Sequence, residues 1–415
     1  MSRLGRHFTV HLAAIAVAGV ALRVVYLLTI GRSVTGIGDW WFYHWQANAI
    51  AYGLGFVEPF RLQFDHVRLA SAGHPPLYPL LLSAVSLVGG DSVMAHRAVG
   101  VPLGAVTIVL VGLLGRRAGG ERVGLVAAAI CAVYPLMVAT DGALMSETLY
   151  GALIAATLLA AARLLDRPGA WIALATGAGI GLAALTRSEA LLLVPLLAWP
   201  VSVAGGPGWP LRAAVAAAGC ALVIAPWTIR NAVTFGELVP ISNNDATVIA
   251  GANCGLTYRG ENMGAWDIRC ISERRLDDEA AQAKVWRDEG LDYARDHAGR
   301  LPAVAAVRLL RVWDLWQPRR QVMFAEGREK RVTKAGVAVY FLLCALAIAG
   351  AAALWRRGRI LLVLLAPALA VCIAAVIGYG VPRLRHGFEI PLMVLAAAGA
   401  VAMVERLRER RRVHA

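Results

Sequence analysis

The sequence predicts an all-α polytopic membrane protein: a bundle of about ten transmembrane helices with interfacial helices in the first outer loop. Three observations predict it. Apolar runs of span length recur from end to end of a chain that is 58% hydrophobic, with mean hydropathy +0.61. Arginine gathers in alternate short turns, as the positive-inside rule expects of cytoplasmic turns. The other ionisable residues collect at the opposite span ends and are scarce inside the spans.

The apolar runs fall at about 8–30, 96–114, 122–140, 147–164, 170–186, 188–204, 210–228, 335–355, 359–379 and 385–404. The first is too long for a secretory h-region and no small-residue cleavage site follows, so it is expected to be a retained span. A shorter run, Pro75–Gly90, opens with two prolines, and whether it crosses sets the sidedness of everything after it. If it does not cross and the N-terminus is cytoplasmic, the cytoplasmic turns carry Arg116, Arg117 and Arg122, then Arg163 and Arg167, then Arg212, then Arg356, Arg357 and Arg359. The tail adds Arg406, Arg408, Arg410, Arg411 and Arg412. If it crossed, all of these would lie outside. Pro75–Gly90 is therefore placed as an interfacial or re-entrant helix on the outer face. The chain is expected in the plasma (inner) membrane with both termini cytoplasmic. Trp171, Trp199, Trp209, Trp227 and Trp355 near span ends fit an aromatic belt.

Three parts follow. Residues 1–228 form an N-terminal transmembrane module whose first outer loop, 31–95, holds the expected site. Residues 229–334 form an extracytoplasmic loop, Ser/Asn/Gly-rich over 242–264 and helical over roughly 273–316. Residues 335–415 form a C-terminal transmembrane module and a basic tail. Cys254 and Cys270 lie in the long loop. On an outer face a disulfide between them is expected, worth roughly 3 kcal/mol. Cys131, Cys220, Cys344 and Cys372 lie in apolar spans, where packing is their expected role.

The net charge is +14, and all the basic residues except Lys284, Lys330 and Lys334 are arginine. Arginine grips phosphate with a two-pronged fork, although GC-rich coding also enriches it. No basic run lies near a nucleic-acid recognition motif, so no nucleic-acid partner is expected. Membrane lipids are. Among charges inside the spans, Arg23 is the main exception. Proton and ion pathways need mid-membrane ionisable groups, so this pattern argues against a transporter and for chemistry at the outer interface.

The densest candidate segment is Gly38-Asp39-Trp40-Trp41-Phe42-Tyr43-His44-Trp45. Asp39 can cap a short helix or serve as a general base toward an acceptor hydroxyl. Glu147, at the outer start of a span, can serve the helix dipole or be a second acid, with Asp141 as its neighbour and rival. Arg187, Arg230 with Asn231, Arg383 and Arg385 stand at outer span ends. Each can snorkel to lipid headgroups, and together they can cradle a phosphate. His74 can donate to phosphate, bind a metal or simply start a helix. Tyr43 and the tryptophans can line a sugar or prenyl path, or anchor in the interface. If a divalent metal ion takes part, Asp39, His74 and Glu147 are its candidate ligands. The chain has no HExxH, Walker, GxSxG or CxxC pattern.

In order and spacing these segments resemble the polyprenyl-phosphate-dependent membrane glycosyltransferases of the GT-C class. The nearest group is that of the protein mannosyltransferases and the lipid A aminoarabinose transferase, glycosyltransferase family 39. The residues that carry the resemblance are Asp39, Tyr52-Gly53-Leu54-Gly55-Phe56, His74-Pro75-Pro76-Leu77-Tyr78-Pro79, Arg97 and Tyr134-Pro135. Ser146-Glu147-Thr148-Leu149-Tyr150, Pro226-Trp227 with Arg230-Asn231, and Pro382-Arg383-Leu384-Arg385 complete the set. The resemblance implies an inverting transfer of a sugar from a polyprenyl-phosphate donor to an envelope acceptor, a lipid, glycan or protein, on the outer face. It implies Asp39 as base and Glu147 as second acid, with His74 where the aminoarabinose branch has a phosphate-contacting lysine. Trp40 stands where the protein mannosyltransferases have a second acid. A flippase for a polyprenyl-linked lipid or glycan, and a non-catalytic envelope-assembly protein, are the competing readings.

Overall fold

The computed structural model describes residues 3–33, 38–272, 276–323 and 326–413. Its regular elements are helices, and one isolated antiparallel bridge, Val57–Ala70, is the sole extended pairing among the described residues. Seven helical segments are long and apolar enough to cross a membrane: His7–Ser33, Val93–Gly119, Glu147–Asp166, Trp209–Phe235, Lys330–Leu354, Arg359–Ile377 and Pro382–Arg412. A bent pair, Glu121–Val133 with Pro135–Asp141, makes an eighth. The other two expected spans, 170–186 and 188–204, fold as shorter apolar helices, Ala170–Ala184 and Ser188–Ala204. Short as it is, Ala170–Ala184 still runs from the Asp166 end of the bundle to the Arg187 end, because Asp166 pairs with Arg117 and Arg187 with Glu147.

Helix α1 (Arg3–Thr29) leads into the first long loop, which holds α2 (Asp39–Ala51) and α3 (Leu77–Leu87). These two pack together, with Tyr43 edge-on to Tyr78 at 5.1 Å. Helix α4 (Val93–Ala98) runs on into α5 (Gly100–Gly119), which turns sharply into α6 (Glu121–Val133). Pro135 then breaks the chain: it offers no N–H and holds Tyr134 extended, so α7 (Pro135–Asp141) leaves α6 at 57°. The bend carries Asp141 onto Arg23 of α1, with Nε–Oδ2 at 2.6 Å. Arg23 also donates to the carbonyls of Gly19, Cys131 and Ala132. Its charge inside a span is thus matched in place, and Gly104 of α5 leaves room for the pair. The expectation that Asp141 rivals Glu147 as a site acid is corrected: its carboxylate is committed to Arg23.

Helix α8 (Glu147–Asp166) shows which ends belong together. Its last turn pairs through Asp166 with Arg117 of the α5–α6 turn, and Arg122 of that turn pairs with Glu405. The arginine-rich turns therefore share one end of the bundle. Glu147, at the first residue of α8, lies at the other end with Arg383. Helix α3 begins and finishes at that second end. Its first N–H, of Leu77, bonds the carbonyl of Leu185 just ahead of Arg187, and Ser86 near its close bonds His96 at the start of the α4–α5 span. Eleven residues reach only about 17 Å, so α3 does not cross.

Helix α9 (Ala170–Ala184) packs against α8 and lies along α11 (Trp209–Phe235), with α10 (Trp199–Ala204) between them in sequence. The long loop then builds a lobe from α12 (Asn244–Ala252), α13 (Glu279–Asp296), α14 (Leu301–Val312) and α15 (Pro318–Met323). Its helical part was expected from 273, and 273–275 lie outside the described residues. Cys254 and Cys270 form a disulfide across the lobe, their Cα atoms 5.9 Å apart. Three spans complete the bundle: α16 (Lys330–Leu354), α17 (Arg359–Ile377) and α18 (His386–Val413).

The lobe grips the loop after α1 just before His74. The N–H of Asn243 donates to the Ala72 carbonyl, and Ser242 Oγ donates to the Gly73 carbonyl, both at 2.9 Å. Glu279 accepts from the Ala72 N–H at 2.8 Å and from Asn243 Nδ2 at 3.0 Å. Three hydrogen bonds on two consecutive residues, Ala72 and Gly73, fix where His74 stands.

Candidate active site

One guanidinium organises the site. Arg383 follows Pro382 in the turn before α18 and reaches acids from three distant segments. Its Nη2 donates to Asp39 Oδ2 at 2.9 Å, its Nε to Glu147 Oε1 at 2.5 Å, and its Nη1 to Glu326 Oε2. Arg187 joins from the other side, with Nη1 3.1 Å from Glu147 Oε1 and Nε 2.6 Å from Glu189. His74 Nε2 lies 4.0 Å from Asp39 Oδ1. Local sequence explains the placements. Asp39 and Glu147 each occupy the first residue of a helix, where the helix dipole favours a carboxylate. His74 is held between the gripped loop and the double proline that starts α3. Tyr43, on the buried face of α2, donates to Ser146 Oγ at 3.1 Å and so ties Asp39's helix to Glu147's.

The charges of the groups outside the spans divide. Burial pushes the Asp39 carboxyl up, but Arg383 and then His74 act against it, and the balance lies below the usual carboxylate value. Asp39 is therefore ionised, and its side chain is 31% exposed. Glu326 goes the other way. Burial raises it, Arg383 offsets only part of this, and the charge of Asp39 adds to the rise. Burial lowers His74 despite Asp39, so its imidazole is neutral at pH 7. Burial would lower Arg187 too, but Glu189 and Glu147 keep its proton on.

Beside this cluster lies a partly open pocket lined by Glu147, Glu326, Arg328, Arg383, His386 and Glu389, among others. Glu147 Oε2 is buried with no hydrogen-bond partner among the described residues, and an acceptor in that state has room for a ligand donor. A second, partly open pocket shares Arg328, Arg383 and Glu389 and extends toward Arg385 and Asp314.

The structure brings together Asp39, His74, Glu147, Arg187 and Arg383, with Tyr43 beneath them. It holds the other expected residues elsewhere. Arg230 lies over the rings of Trp227, Phe56 and Phe235 and donates to the carbonyls of Phe56 and Ser71. Asn231 is fully buried and donates to the Val239 carbonyl. Arg385 pairs with Asp314 at 2.6 Å and Glu389 at 2.9 Å and lies 3.7 Å from the Tyr340 ring centre. It lines the second cavity while anchoring the 382–385 turn. Two site residues escaped the sequence reading, Glu326 and Arg328. Both lie in a short polar turn directly before α16, and that adjacency to a span was the only signal available.

The candidate metal ligands do not form an ion site. Among the described residues no three His, Cys, Asp or Glu groups are placed to hold a metal. Between Asp39 and Glu147 the cationic position is taken by Arg383.

Residues 73–229 match the family described as dolichyl-phosphate-mannose-protein mannosyltransferase. The matched segment contains His74, Glu147 and Arg187, and leaves out Asp39, Glu326 and Arg383. No curated protein sequence matches the chain. Among solved structures, it is similar to the oligosaccharyltransferase AglB from Archaeoglobus fulgidus, solved with an inhibitory peptide and a dolichol-phosphate. The TM-score is 0.60 at 17% identity, over 99% of this chain and 52% of that one. The same enzyme with Zn and sulfate gives 0.58 at 16%, over 96% and 50%. ArnT from Cupriavidus metallidurans bound to undecaprenyl phosphate gives 0.46 at 17%, over 97% and 79%. The chain spans about half the length of the oligosaccharyltransferase it matches. Part of the chain thus carries the mannosyltransferase pattern, and the chain as a whole folds like about half of that oligosaccharyltransferase.

Proposed function

We propose that this protein is an inverting glycosyltransferase that moves a sugar from a polyprenyl-phosphate donor to an envelope acceptor on the extracytoplasmic face. The observation that carries the reading is the Asp39–Arg383–Glu147 cluster. It is an ionised, partly exposed carboxylate beside a guanidinium and a buried acid, at the end of the bundle opposite the arginine-rich turns. The mannosyltransferase pattern over 73–229 supports it as well.

In this reading Asp39 accepts the proton of the acceptor hydroxyl as that oxygen forms its bond to the anomeric carbon. The bond from that carbon to the donor phosphate breaks on the opposite face, and the electron pair leaves with the polyprenyl phosphate. Arg383, with neutral His74 beside it, stabilises the charge that gathers there. Glu147, with one free oxygen on the cavity, orients an acceptor or sugar hydroxyl. The lobe over the first outer loop borders the acceptor side.

The test combines mass spectrometry of envelope lipids, glycans and glycoproteins in a deletion strain with complementation by Asp39→Asn. The reading expects one glycosylated species to vanish, to return with wild type, and to stay lost with the variant, which still binds polyprenyl phosphate. Transfer by Asp39→Asn at the wild-type rate would remove the base.

A further inference from the structure

Three carboxylates on one guanidinium exceed what its charge requires. Asp39 and Glu147 already bracket Arg383 from α2 and α8. Glu326 adds a third, and its place is distinctive. One carboxylate oxygen accepts from Arg383 Nη1, and the other accepts from the backbone N–H of Asp39 at 2.7 Å. That N–H opens a 13-residue helix. A guanidinium fork together with a helix N-terminal N–H is the donor set that binds phosphate oxygens. Gly38 packs against this carboxylate so closely that a Cβ would enter it.

A second observation concerns the same turn. Arg328, two residues on, lines both cavities. Among the described residues it makes no ion pair and no side-chain hydrogen bond, while Glu147 and Glu389 act on it through space. An over-matched cation and an unmatched one therefore face the same cavity. An anion entering there would satisfy both if Glu326 gave way.

We propose that Glu326 occupies the seat that the phosphate of the donor takes, and that donor binding displaces it, with Arg328 as the second cation of that seat. The ligand's identity rests on the glycosyl-transfer reading above; the seat rests on the geometry. Glu326 suits displacement. Burial beside Asp39 makes it the least comfortable anion of the three, and its turn adjoins α16 rather than lying within a packed helix. While Glu326 stays in place, Arg383 is closed to other anions, so the site discriminates against ligands too weak to evict it.

The test measures binding to the purified full-length protein in detergent of three probes: a polyprenyl monophosphate, the matching uncharged prenol, and inorganic phosphate. Wild type is compared with Glu326→Gln, which keeps size and the bond to the Asp39 N–H, and with Glu326→Ala. Both variants should bind polyprenyl phosphate roughly tenfold more tightly than wild type, with prenol binding unchanged. Inorganic phosphate should compete with the lipid on the variants. Adding Arg328→Ala to Glu326→Gln should cancel the gain, and full retention of the gain would remove Arg328 from the seat. Equal or weaker binding of polyprenyl phosphate to Glu326→Gln overturns the inference and leaves the transferase reading standing. If inorganic phosphate gains on the variants while no form binds polyprenyl phosphate, the seat stands and the lipid-donor reading falls.

Discussion

Arg383 and Asp39, 344 positions apart in sequence, are joined by a hydrogen bond of 2.9 Å from Nη2 to Oδ2. The same guanidinium holds Glu147, so the two proposed site acids share one cation. Lysine keeps the charge but has no planar fork and cannot serve both acids in this geometry. Arg383→Lys is expected to lower transfer by about 10²–10³-fold, the scale of losing one charge-stabilising donor. Initial-rate kinetics on the folded variant check this, with most of the loss in kcat.

The pH profile follows from the direction of each shift. A base whose pKa is depressed is active above that pKa and loses activity only as pH falls through it. Asp39 lies below the ordinary carboxylate value of about 3.9, so it contributes no acid limb to kcat/KM above about pH 4.5. His74, depressed below about 6.5 by burial, is the group that can titrate between those values. Any limb there should vanish in His74→Gln. A limb near pH 6 that persists in that variant would count against Asp39 as the base.

The buried Arg23–Asp141 pair gives a stability prediction. Asp141→Asn leaves a guanidinium with 1% side-chain exposure without its counter-charge. The expected loss is about 3–5 kcal/mol. Replacing both partners, Arg23→Met with Asp141→Leu, should recover most of it. Thermal unfolding in detergent reads both, and a single variant as stable as wild type would show that the pair carries no weight.

Sidedness has its own check. Leu87, 68% exposed at the close of α3, and Arg116, in the last turn of α5, lie at opposite ends of the bundle by the ion-pair geometry. A membrane-impermeant thiol reagent added outside intact cells should label Leu87→Cys and spare Arg116→Cys until the cells are opened. Labelling of both from one side would overturn the proposed orientation.

The legible part of this protein was the part written in local pattern. Apolar runs placed the long spans, and the sidedness of the arginine turns marked α3 as a helix that does not cross. Asp39, Glu147 and Arg383 were visible because each abuts a span or an aromatic segment. Their shared hydrogen bonds were not, because contacts across more than 200 positions leave no trace in spacing. Ala170–Ala184 and Ser188–Ala204 are shorter than their apolar runs because composition reports polarity better than helix length. Arg230 looked like a phosphate ligand because its type and location fit one. Three aromatic rings and two carbonyls claim it instead, and those partners come from 56, 71, 227 and 235. Glu326 and Arg328 were missed because a charged turn before a span is unremarkable until something faces it.

The grip of the lobe on Ala72 and Gly73 bears on how this protein can be re-engineered. Residues 242, 243 and 279 hold the backbone next to His74, so the lobe and the first outer loop are not interchangeable parts. A chimera that imports a foreign 229–334 segment also imports a foreign hold on residues 72 and 73 and resets the histidine. Such exchanges will succeed only when both segments are taken from the same parent, which makes the two loops a single unit of inheritance.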